Sequence, residues 1–180
     1  MINNINYYNL SNKKYKKNTI INPNGTKSSS NYLFNNNKKL FFWVHGFNDY
    51  YYHYHIGDKL LSDSFDIYSI RLRNYDTSVK KRFYVKDLSE YIEDIDNHLK
   101  LLINDYEEII LYGHSLGGLI CSIYMYKGIY NHKINKLILN SPFLNFRVDL
   151  LTSLFIKYFS GILRYLRYYN ILDDFKVSDF

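Results

Sequence analysis

At 180 residues with a formal net charge of +6, the chain has the length of one domain able to bury a sizeable core. Hydrophobic residues make up 47% and charged residues 22%, which is a globular composition, and a single cysteine, Cys121, excludes an internal disulfide framework. The start MINNINYYNL lacks the charged head and apolar run of a signal peptide, and no stretch reaches the ~18 apolar residues of a spanning helix, so a cytoplasmic location is expected.

Residues 1–37 are rich in Asn, Ser and Lys and read as a polar N-terminal segment, with a turn at Pro23-Asn24-Gly25. Short strands are compatible with this stretch, but no chemistry is assigned to it. Its lysines, Lys13, Lys14, Lys16 and Lys17, read as solvated linker, and no RRM-like or zinc-finger pattern points to nucleic acid. From Lys39 the pattern changes. Leu40 to Val44 is a continuous apolar run ending in His45-Gly46, as expected of a strand buried on both faces. Tyr50 to Leu61 reads as a short helix and Phe65 to Ile70 as a second strand, followed by the loop Arg71 to Ser78.

The three-four spacing of Leu88, Tyr91, Ile92, Ile95, Leu99, Leu102 and Ile103 predicts a helix over 87–104. Glu90, Glu93, Asp94 and Lys100 fall on its polar face, and His98 and His132 read as surface residues. Glu108 to Tyr112 is a third strand running into Gly113, Leu116 to Lys127 a helix, and Lys136 to Asn140 a fourth strand. Strands alternating with helices at this rhythm predict an α/β fold, a mostly parallel sheet flanked by helices. Residues 38–147 form the expected core. Residues 148–180 read as a helical cap or lid, whose cationic, apolar stretch 150–172 either covers an acyl pocket or makes peripheral contact with an anionic membrane.

The segment Gly113-His114-Ser115-Leu116-Gly117 carries the chemistry. A serine hydroxyl is a weak nucleophile at neutral pH and needs exposure, a base and donors for the oxyanion. The G-x-S-x-G pattern addresses exposure: a strand turns sharply into a helix with the serine at the tip, and Gly113 and Gly117 remove side chains that would clash there. Gly118 adds room for strand–helix packing. The alternative is a tight turn whose Ser115 merely caps the helix. The second segment is His45-Gly46-Phe47. Its Phe47 N–H, with that of Leu116, would form the oxyanion hole, while His45 braces the loop.

Trp43 to Phe47, Leu111 to Gly118 and Leu139-Asn140-Ser141-Pro142-Phe143 together resemble the α/β-hydrolase superfamily, in its serine aminopeptidase S33, monoacylglycerol lipase and lysophospholipase-like branch. The resemblance implies a serine esterase or lipase acting on an acyl ester, without metal or organic cofactor. Where that branch has glycines in the loop after the second strand, this chain has Asn74 and Asp76, residue types that tolerate positive φ.

The family's order is Ser, acid, His, with acid and His on strands beyond the cap. The last histidine of the sequence is His132, and Asp173 and Asp174 have no His after them. Three explanations stand at this point: a chain that ends inside the cap, an inactive homologue binding a lipid or protein partner, or an enzyme whose base is His45, His53 or His55.

Overall fold

The computed structural model describes residues 15–144, apart from 77, 78, 80 and 81. The expected cap at 148–180 and the stretch 150–172 lie outside the described residues.

A six-stranded sheet has the order β1-β2-β4-β3-β5-β6. Its centre is parallel: β3 (Lys39–Val44) lies between β4 (Phe65–Arg71) and β5 (Glu108–His114), and β5 pairs with β6 (Lys136–Asn140). Three helices connect these strands: α1 (Tyr54–Ser62), α2 (Ser89–Leu99) and α3 (Leu116–Lys127). β3 shows why its run is continuously apolar. Leu40, Phe42 and Val44 enter one cluster with Ile95, Leu99, Leu111, Ile120 and Tyr124; Phe41 and Trp43 enter another with Tyr51, Leu61, Ile67 and Ile110. Alternate side chains leave opposite faces of a strand, so both faces of β3 must be covered.

The sheet also extends into the polar N-terminal segment. β1 (Lys16–Ile21) and β2 (Lys27–Leu33) form a hairpin turned at Asn22 to Thr26, and β2 pairs antiparallel with β4. Alternation there is carried by serine: Ser28 and Ser30 are buried, while their neighbours on the strand are half-buried or exposed. A hydrophobic pattern cannot register a strand whose inward positions are hydroxyls.

Two helix readings needed correction. The helix expected from Tyr50 begins only at Tyr54, because Tyr51 is drawn into the core beside Trp43, its hydroxyl donating to the His53 carbonyl. The helix expected over 87–104 is regular from Ser89 to Leu99 and continues as turns. On that helix Asp94 and His98, both expected at the surface, are fully buried. Asp94 accepts from the Arg73 backbone N–H at 2.9 Å, the Arg73 guanidinium at 3.0 Å and Asn22 Nδ2 at 2.8 Å. His98 lies between the hydroxyls of Tyr68 at 2.6 Å and Ser28 at 3.0 Å. A buried polar side chain with partners is stable inside; here the hairpin, β4 and the loop after it supply those partners, and none is adjacent in sequence.

Candidate active site

β5 ends at His114 and α3 begins at Leu116, leaving a single residue, Ser115, to make the turn. Ser115 takes φ 51° and ψ −117° and makes no side-chain cap hydrogen bond, so the capping alternative does not describe it. A non-glycine residue there costs on the order of 1–3 kcal/mol and persists only where its surroundings hold it. The holding groups come from the end of β6. Ser115 N–H donates to the Asn140 carbonyl at 3.0 Å, and Phe143 N–H donates to the Ser115 carbonyl at 2.9 Å.

The glycines around the turn are close approaches of backbone. A Cβ on Gly117 would lie 2.5 Å from the carbonyl oxygens of both Val44 and His45, which shows α3 seated against the end of β3. One on Gly113 would lie 2.5 Å from the Gly117 carbonyl oxygen. A Cβ on Gly118 would lie 2.8 Å from Pro142 and 3.4 Å from the Gly113 carbonyl oxygen, so this position admits the loop after β6 as well as the strand β5.

His45-Gly46-Phe47 follows β3 and stands beside the elbow, with Ser115 Cβ 3.2 Å from where a Gly46 Cβ would be. His45 is buried and both ring nitrogens are used. Nδ1–H donates to the Gly46 carbonyl at 2.7 Å, and Nε2 accepts from Leu72 N–H at 3.1 Å. Burial pushes its pKa down to about 4, so the ring is neutral near pH 7. His45 therefore ties the loop after β3 to the loop after β4 and has no lone pair left for Ser115. Asp49 adds a second tie, its Oδ2 accepting from Gly46 N–H and from His114 Nδ1, each at 3.3 Å. Sequence reasoning did not single out Asp49. Its only signal was a carboxylate three residues beyond the His-Gly pair.

His53 is stacked between Trp43 and Tyr52, with ring centroids 5.0 and 4.1 Å away, and burial lowers its pKa. Among the described residues, no hydrogen bond joins Ser115 Oγ to an imidazole. Phe47 is 53% exposed and its ring meets Phe83 at 5.0 Å, giving the elbow an aromatic border. In the loop after β4, Asn74 does take positive φ, 63°, but Asp76 does not; among the described residues of that loop Phe83 also takes it, at 61°. Cys121, beneath the elbow in α3, is buried with its thiol pK raised by burial, as expected of a core thiol.

A cavity of about 150 Å³ adjoins the loop after β3, lined by Asn48, Asp49, Arg71, Tyr75 and Arg82 among others. The larger one, about 650 Å³, lies against the β1–β2 hairpin and includes no residue of 45–49 or 113–118. Among the described residues no helix is long and apolar enough to cross a membrane, and no group of three His, Cys, Asp or Glu side chains has the arrangement of a metal site.

The profile of the serine aminopeptidase S33 family matches residues 35–176. The chain is similar to monoacylglycerol lipase of Mycolicibacterium smegmatis, 28% identical over 105 residues, spanning 57% of this chain and 37% of that protein. The fold is similar to the solved monoglyceride lipase of Saccharomyces cerevisiae (TM-score 0.65, 17% identity), covering 75% of this chain and 46% of that one. An esterase of Pyrococcus furiosus gives a TM-score of 0.61 at 21% identity, over 82% of this chain and 57% of the esterase. The chain thus spans less than half the length of either lipase. With the family profile covering most of its length, the chain belongs to the serine aminopeptidase S33 family of α/β-hydrolases.

Proposed function

We propose that the chain forms the nucleophile and oxyanion portion of a serine hydrolase acting on carboxylic esters of apolar acyl chains, esterase- or lysophospholipase-like. Ser115 is the nucleophile, and the N–H groups of Phe47 and Leu116 form the oxyanion hole. The observation carrying this reading is the positive-φ serine fixed from both sides by the β6 end, with the Gly46 backbone directly beside it. Strain kept at one residue by that many contacts is a feature of functional positions.

In the reaction, Ser115 Oγ attacks the ester carbonyl and its proton passes to an imidazole. The tetrahedral oxyanion accepts from the two N–H groups, the alkoxide leaves with that proton, and water hydrolyses the acyl-enzyme. His45 is the brace of this assembly, not its base. His114, Gly46, Gly113, Gly117 and Gly118 shape the elbow. The proposed catalytic core is the stretch 38–147. The reading carries a cytoplasmic location and requires no cofactor.

The second reading is a non-catalytic module that binds a lipid or protein partner. One observation favours it: Ile138 and Leu139 are exposed on β6, the edge strand of the sheet among the described residues, and Leu144 is exposed just beyond it. A fluorophosphonate probe separates the two. Wild-type labelling that disappears in Ser115→Ala supports an activated serine; a folded wild type that does not label refutes it.

A further inference from the structure

We infer that the small cavity beside the loop after β3 is a subsite for a phosphate group of the substrate, an inference that rests on the ester-hydrolase reading of Ser115. The cavity begins one residue beyond the proposed oxyanion donor Phe47, at Asn48 and Asp49. Its wall Tyr75 packs edge-on against the His45 ring at 4.4 Å, so it shares the loop that borders the elbow.

The wall carries two arginines and one carboxylate. Arg71 and Arg82 both line it, and among the described residues neither guanidinium is paired with a carboxylate. Arg71 lies over the Tyr50 ring at 5.9 Å and Arg82 over the Phe83 ring at 4.6 Å. Arg82 Nε is buried without any hydrogen-bond acceptor. The contrast within this same loop is Arg73, whose guanidinium meets Asp94 at 2.9 Å and Glu93 at 2.6 Å. One carboxylate, Asp49, faces the cavity, and its oxygens are already used: Oδ2 by Gly46 N–H and His114, Oδ1 by Tyr50 N–H at 2.7 Å.

Two guanidiniums without a carboxylate partner among the described residues are matched by an oxyanion. Two arginines lining it from separate segments, β4 and the loop after it, suit the several oxygens of a phosphate better than one planar carboxylate. At about 150 Å³ the cavity holds the equivalent of roughly five waters of ~30 Å³, enough for a phosphate and too little for a long acyl chain. The favoured substrate is therefore an acyl ester whose polar part bears a phosphate.

The test is calorimetric titration of the full chain with glycerol 3-phosphate and with inorganic phosphate. Glycerol 3-phosphate is expected to bind wild type and Ser115→Ala equally, and about tenfold or more weakly to Arg82→Gln and Arg71→Gln. Modification of wild type by phenylglyoxal, read by mass spectrometry, needs no folded variant: glycerol 3-phosphate is expected to protect Arg71 and Arg82. Absence of binding at about tens of millimolar, or binding without protection of these arginines, overturns the inference. Inorganic phosphate binding as tightly as the ester overturns it in favour of a free-anion site. Binding with protection in a chain that fails to label with fluorophosphonate keeps the phosphate site and removes the hydrolase reading alone.

Discussion

Gly117→Ala probes the contact on which the elbow depends. The added Cβ would stand 2.5 Å from the carbonyl oxygens of Val44 and His45. Ordinary contact begins near 3.4 Å, so α3 and the β3 end must separate by about 0.9 Å. Both obstacles are backbone, and neither can swing away as a side-chain tip would. Overpacking typically costs about 1–3 kcal/mol, and two main-chain clashes put this variant near 3 kcal/mol. At about 2–4 °C per kcal/mol for a chain of this size, the melting temperature falls by about 6–12 °C. Urea unfolding followed by the fluorescence of Trp43, the sole tryptophan and a buried one, measures the loss. Gly46→Ala is the contrast. Its Cβ would meet Ser115 Cβ at 3.2 Å, a conflict of a few tenths of an ångström. It is expected to cost about 1 kcal/mol or less while slowing fluorophosphonate labelling, because the displaced atom belongs to the serine itself. If Gly117→Ala is within about 0.5 kcal/mol of wild type, or costs less than Gly46→Ala, the seating of α3 on β3 described here is wrong.

Two further outcomes follow from buried polar groups. Asp94→Ala leaves the fully buried Arg73 without its buried partner and is expected to cost about 3–5 kcal/mol in urea unfolding, whereas a loss under about 1 kcal/mol would show that Glu90 and Glu93 suffice. His98 is held neutral by burial, its pKa lowered from 6.5 to about 4, so the unfolded chain takes up the proton first as pH falls. Its contribution is present above about pH 6.5 and lost toward pH 4, at about 1.4 kcal/mol per pH unit within that window. His98→Gln, which cannot titrate, should flatten the dependence of unfolding free energy on pH there; equal slopes in variant and wild type refute the assignment. His45 titrates in the same sense and maintains part of the slope in both proteins.

The sequence by itself determined the parallel centre of the sheet and the turn that carries Ser115. Continuous apolar runs at Leu40 to Val44 and Ile109 to Tyr112, and glycines at 113 and 117, are local signals: they state which stretches must be buried on both faces and where a backbone must approach another closely. The helix after the turn likewise runs from Leu116 to Lys127 as expected. Tertiary structure alone decided the polar interior. Asp94, His98 and Ser28 look like surface residues in sequence because their polarity is local information, whereas their partners Arg73, Asn22 and Tyr68 are brought by strands and loops distant in the chain. The same holds at the elbow. That Ser115 is gripped by Asn140 and Phe143, that His45 spends both nitrogens on backbone groups, and that Asp49 reaches His114 all depend on loops converging at the ends of the parallel strands, where no periodic pattern reports contact.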